Sequence, residues 1–121
     1  MRIFKNEWFR HFAKRERIND STLKDAITRA ERGLIDADLG GGVIKQRIAR
    51  AGQGKSGGYR SIIFFRRGEY ALFAYGFAKS DRANVYPDEV AEFKKIAKGF
   101  FLLTDKQIES MLIEEELTEI L

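Results

Sequence analysis

The feature that most constrains this chain is a change of hydrophobic period near residue 43. Before it, apolar residues recur every three or four positions. Trp8, Phe9 and Phe12 form one such stripe with basic residues between them, and Leu23, Ala26, Ile27 and Ala30 form another. Each fits one face of an amphipathic helix. Asn19-Asp20-Ser21 supplies N-cap candidates for the second helix, and Gly33 is placed to end it. Gly40-Gly41-Gly42 then breaks the chain. After the break the period is two. Ile44, Gln46 and Ile48 alternate with Lys45, Arg47 and Ala49, and Arg60, Ile62 and Phe64 alternate with Tyr59, Ser61 and Ile63. Tyr70 to Phe77 continues this pattern after the turn residues Arg67-Gly68-Glu69.

A short strand is also expected at residues 2–5. Helical periodicity returns at Pro87, with Val90, Phe93, Ile96 and Ala97 as its stripe. Thr104 to Gln107 reads as a capping box that starts a last helix. The predicted class is therefore α+β. Two N-terminal helices pack on a twisted, mostly antiparallel sheet, one or two C-terminal helices follow, and all the helices are expected on one face. With 121 residues there is room for one domain and one modest core. Residues 1–103 are read as its body, and residues 104–121 as an acidic amphipathic helix belonging to it.

Charge is distributed unevenly. Residues 45–82 carry nine Lys/Arg against Glu69 and Asp81, a net +7, whereas residues 105–121 are net −5. A strongly basic sheet is a footprint for phosphates, although solvated cations decorating exposed strands look the same in a sequence. Met1 to Lys5 has no signal-peptide core, and no apolar run approaches the roughly 18 residues of a membrane span. The expected location is the cytoplasm, with no membrane partner.

The segment Gly52-Gln53-Gly54-Lys55-Ser56-Gly57-Gly58 imitates a nucleotide-binding loop only at its end. The first glycine of that motif would fall at Ala49, and a β-rich segment follows where a helix N-terminus should be. The segment is expected to join two strands, with Lys55 at the tip. With no cysteine and a single histidine, His11, the chain offers no metal cluster or thiol, and no cofactor is expected. His11 reads as an ordinary helix residue. The remaining chemistry belongs to lysine, arginine and tyrosine. Arginine forks can neutralise the charge that builds on a phosphate when an adjacent 2′-OH attacks it. A lysine or tyrosine among other cations can move the proton. Lys45, Arg47, Lys55, Arg60 and Lys79 are the cations expected on one concave face.

The stretch Lys55-Ser56-Gly57-Gly58-Tyr59-Arg60, running into Ser61-Ile62-Ile63-Phe64-Phe65, resembles the RelE/ParE superfamily of bacterial type II toxins. Ile44-Lys45-Gln46-Arg47 before it and Tyr75 to Asn84 after it extend the likeness over residues 1–103. Within the superfamily the chain is most similar to the HigB-like, RelE-type translational repressors. That resemblance implies metal-free cleavage of mRNA on the ribosome. It also implies neutralisation by a cognate antitoxin, expected to be of the helix-turn-helix type; a second copy of the chain is another candidate partner. It assigns Lys45 and Arg47 to substrate activation, Arg60 to transition-state charge, and Tyr86 to a base or a stacking platform. RelE itself places a catalytic arginine where this chain has Ser80, so Lys79 or Arg82 is expected to substitute. Arg50, Lys55, Tyr59 and Arg82 complete the set as RNA-contacting residues. Two other readings of the likeness stand beside this one. A ParE-like toxin would inhibit DNA gyrase without nuclease chemistry, and a degenerate member would bind only RNA or its antitoxin.

Overall fold

The computed structural model describes residues 1–50 and 54–121, the side chains of 54–56 excepted. Its elements run β1 (Arg2–Asn6), α1 (Glu7–Glu16), α2 (Asp20–Glu31), β2 (Ala37–Gly40), β3 (Val43–Arg50), β4 (Gly54–Arg66), β5 (Tyr70–Ala78), α3 (Pro87–Phe101), α4 (Asp105–Ile113) and β6 (Leu117–Ile120). The fold is α+β. One sheet has the order β2-β3-β4-β5-β1-β6, with β1 parallel to β5 and the other pairs antiparallel. No helix among the described residues is long and apolar enough to cross a membrane.

The predicted caps form. Asn19 Oδ1 accepts from Thr22 N at 2.9 Å to start α2. Thr104 and Gln107 exchange side-chain and backbone hydrogen bonds at 2.8 and 3.1 Å to start α4. Asn6 caps α1, accepting from Phe9 N at 2.8 Å, and its amide also donates to Ala74 O at 3.0 Å. Ala74 is the extra residue of a β-bulge: Ile62 lies opposite Tyr75 and Ile63 opposite Phe73. The bulge re-aims β5. Leu72 and Ala74 face one side before it, and Tyr75 and Phe77 face the same side beyond it. Gly76 then points at α1, where a Cβ would lie 2.7 Å from the Phe12 ring. A larger residue there would force the Phe12 ring to shift.

The helices divide between the two faces, contrary to the expectation of one covered face. Helices α1 and α2 bury Phe9, Phe12, Leu23 and Ile27 against Ile44, Ile48, Ile63 and Phe73. Helices α3 and α4 bury Ala97, Phe100 and Ile108 against Phe4, Ile62, Phe64 and Leu72. The run Ile62-Ile63-Phe64-Phe65 is buried throughout because both faces of β4 are covered. The expected single helix over 104–121 is a helix followed by a strand. Glu115, with φ at 61°, ends the helix, and β6 pairs with β1.

That edge is held by charge as well as burial. Arg2 donates to both Glu119 oxygens, at 2.9 and 2.7 Å, and to Glu109 at 3.0 Å. The guanidinium holds the Glu119 carboxyl below its usual range. The folded state therefore takes up this proton at lower pH than the unfolded chain. The stabilisation is complete above the ordinary carboxylate pKa of about 4.3 and is lost as pH falls through the lowered folded value. Denaturation of wild type and Glu119→Gln should accordingly differ at pH 7 and converge in acid. A gap that persists undiminished in acid would assign the difference to packing.

Candidate active site

Two rows of side chains cross the sheet on the α3 face. In the first, Lys45 on β3 lies opposite Ile62 on β4, which lies opposite Tyr75 on β5. In the second, Arg47 lies opposite Arg60, which lies opposite Phe77. Lys79 follows one position past β5, where its N–H donates to Gly58 O at 3.1 Å. The period-two pattern thus brings Lys45, Arg47 and Arg60 together, with Lys79 exposed just beyond them.

The environment of each cation differs. Arg60 is only 6% exposed and donates to Tyr59 O at 3.3 Å. Burial lowers its pKa, the nearby Arg47 lowers it further, and Asp36 opposes both. A guanidinium remains charged under such pressure, so the shift measures how unfavourable its surroundings are. Like charges facing across adjacent strands are destabilising. An arriving phosphate would relieve that repulsion. Asp36 sits at the rim: one oxygen accepts from Arg47 N at 2.6 Å and the other lies 3.8 Å from Arg47 Nε. Fully buried Gln46 fixes Asp36 from the opposite face, accepting from Asp36 N and donating to Ala26 O and Leu34 O, each at 3.0 Å.

The loop after β5 closes the site. Lys45 Nζ donates to Asn84 Oδ1 at 2.9 Å, and the same oxygen accepts from Val85 N. Arg82 spans the loop. It pairs through both terminal nitrogens with Glu89 at 2.5 and 3.1 Å, and it donates to Tyr75 Oη at 3.2 Å and to Asn84 O at 2.9 Å. Its guanidinium lies 5.1 Å from the Tyr86 ring centroid. Donating to Glu89, then to Tyr75, raises the Arg82 pKa, and accepting from Arg82 lowers that of Glu89. Tyr86 is 66% exposed at the start of α3, its N–H held by Glu89 at 2.8 Å. An exposed ring on an anchored backbone is a ready stacking surface.

Not every expected residue joins this group. Tyr59, expected at the RNA surface, is 3% exposed and packs on the α1/α2 side with its hydroxyl on Glu16 O. Burial raises its pKa first of all. Arg50 lies over that ring at 5.4 Å, on the same wrong face. Arg82 is committed to Glu89 and holds the loop. Lys55, expected at the tip of a loop, has its backbone in β4, and its side chain and residues 51–53 lie outside the described residues; Arg50 pairs opposite Gly54. His11 is exposed on α1, 3.8 Å from Glu7 and on the other side of the sheet. Asn84, Asp36 and Glu89 were not singled out from the sequence. Glu89, three residues past Tyr86 and just after Pro87, carried a capping signal; Asn84 and Asp36 acquire roles only through the fold.

A sheet that sets arginines opposite one another beside a lysine can hold a polyanion. No curated protein matches the sequence. The model of the RelE toxin of RelE/RelB toxin–antitoxin systems, however, matches residues 1–120, from β1 to the last residue of β6. The match takes in the C-terminal strand as well as the basic sheet, and the chain belongs to the RelE toxin family.

Proposed function

We propose that this toxin is a ribosome-dependent endoribonuclease that stops translation by cutting mRNA, and that a cognate antitoxin restrains it. The observation that carries this reading is the buried Arg60 opposite Arg47 beside Lys45, three cations on one face of the sheet. In the reaction, the 2′-oxygen attacks the adjacent phosphorus and gives its proton to water, and the bond to the 5′-oxygen breaks as that oxygen takes up a proton. The products are a 2′,3′-cyclic phosphate and a 5′-OH. Arg60 and Arg47 hold the phosphate oxygens as their charge rises. Lys45, oriented by Asn84, faces the attacking oxygen, while exposed Lys79 is placed to protonate the leaving 5′-oxygen in place of Arg82. Tyr86 stacks on a base beside the scissile bond.

The test is induced expression with parallel mapping of mRNA ends and plasmid supercoiling. Growth arrest with messages cut at ribosome-occupied positions and normal supercoiling is the expected result. Altered supercoiling with intact messages would establish the gyrase reading instead, and normal growth with intact messages would leave a degenerate binder.

Asn84 gives a finer prediction. Replacing it with alanine frees the Lys45 ammonium without removing a charge. RNA affinity should hold, and single-turnover cleavage should fall about 10-fold, within the range for misplacing a reacting group. If affinity falls and the cleavage rate at saturation does not, Asn84 serves docking.

A further inference from the structure

A second cluster of cations lies six residues along β4 from Arg60, roughly 20 Å away. Arg60, Ile62, Phe64 and Arg66 alternate onto one face of this strand, so Arg60 and Arg66 mark its two ends, with Phe100 of α3 roofing Phe64 between them. At the Arg66 end a cleft of about 310 Å³ opens between the Gly41 turn and the last turns of α3, lined by Gly41, Arg66, Lys94, Lys98, Phe101 and Leu102.

Two of its cations rest on defined neighbours. The Arg66 guanidinium lies 4.4 Å from the Phe101 ring centroid, within cation–π range. The Lys94 stem runs over the β2–β3 turn. A Cβ on Gly40 would lie 3.2 Å from Lys94 Nζ, and one on Gly41 would lie 3.4 Å from Lys94 Cγ. Gly42 presses on the same Phe101 ring, where a Cβ would come within 2.5 Å. All three glycines have positive φ, between 62° and 89°. The Gly40-Gly41-Gly42 turn therefore seats both Lys94 and the ring beneath Arg66. Among the described residues, Arg66, Lys94 and Lys98 have no carboxylate within ion-pair distance, as is also true of Lys14 and other surface cations, so what sets them apart is the surface they rest on. Solvated cations that merely decorate a surface have no need of an aromatic shelf and a glycine seat.

We infer that this cleft is a second RNA subsite, in which Lys94 and Lys98 bind backbone phosphates and the exposed face of Arg66 stacks on a base. This rests on the reading of the chain as an RNA-directed toxin and adds a docking point remote from the reacting phosphate. Arginine planes and aromatic shelves are general means of holding unpaired bases.

The test measures binding, so it holds whether or not the protein cleaves. Full-length wild type, Lys94→Ala/Lys98→Ala, Arg66→Ala and a control, Lys14→Ala on exposed α1 surface, are titrated against a 2′-O-methyl single-stranded RNA and against 70S ribosomes over a range of salt. The double variant should bind about 25-fold more weakly at 0.1 M salt, with the salt slope reduced by about 1.4, the counterion release of two phosphate contacts on a single strand. Arg66→Ala should weaken binding with a slope change below 1, because part of its contribution is stacking. Lys14→Ala should match wild type. Loss on the oligonucleotide identifies the bound strand as message, and loss on ribosomes alone identifies it as ribosomal RNA. Unchanged affinity and slope in both arms would overturn the inference. So would reduced binding of poly-L-glutamate with RNA binding intact, which would assign the cleft to an acidic polypeptide. If wild type binds and these losses appear but no message is cut, the nuclease reading fails and the subsite stands.

Discussion

Arg60→Ala is expected to leave RNA binding close to wild type and to slow single-turnover cleavage by roughly 10² or more, the scale for losing one preorganised charge stabiliser. Binding is shared among several exposed cations, whereas Arg60 is 6% exposed and already disfavoured by its burial and by Arg47. A charge held at that disadvantage interacts most strongly when negative charge peaks, in the transition state rather than the ground state. Arg60→Lys should rescue only part of the rate, because an ammonium cannot reproduce the guanidinium fork. Alanine also removes a buried side chain, so thermal melts of both variants are needed to separate lost chemistry from lost fold. Removing one of two facing arginines relieves repulsion and offsets some of that packing loss. Full activity after Arg60→Ala would remove the residue-level support for the nuclease. Equal binding losses for Arg60→Ala and Arg47→Ala, with normal cleavage at saturation, would make Arg60 a docking residue.

Much of this site was legible because strands have a period of two. Lys45 and Arg47 share parity, as do Arg60 and Ile62, so pairing β3 with β4 brings the cations onto one face. The same rule counts against two of the expected RNA contacts. Tyr59 is of opposite parity to Arg60, and Arg50 shares the parity of Ile44, Gln46 and Ile48, which face α1 and α2. The function of Arg82 was hidden because its partner, Glu89, lies seven residues on, across a loop whose path no periodicity reveals. The bulge at Ala74 was equally hidden, since it exists only relative to β4. Strand β2 has four residues, two of them Asp38 and Gly40, and leaves no pattern. The division of the helices between two faces was visible in principle: four consecutive buried apolar residues on β4 need cover on both sides.

Deleting residues 105–121 is expected to prevent stable folding. The sequence favours one helix here because Ile108, Met111, Leu112 and Leu117 fall at near-helical spacing. The chain instead turns at Glu115, a residue with no glycine or proline to announce it, and returns as β6. Ile108, Leu117 and Ile120 are 1%, 3% and 5% exposed. At about 1.5–3 kcal/mol each, their burial contributes roughly 5–9 kcal/mol, comparable to the whole stability of an average domain. Deletion also strips the partner from β1, leaving its backbone edge unpaired and open to aggregation, and leaves Arg2 without Glu109 and Glu119. Leu117→Ala is the graded version: it should lower the unfolding free energy by about 2–5 kcal/mol and still leave a folded fraction to assay. That fraction should bind RNA as wild type does, because the tail is net −5 and repels phosphates. A variant with native stability and weakened RNA binding would reverse the assignment and make the tail part of the binding surface.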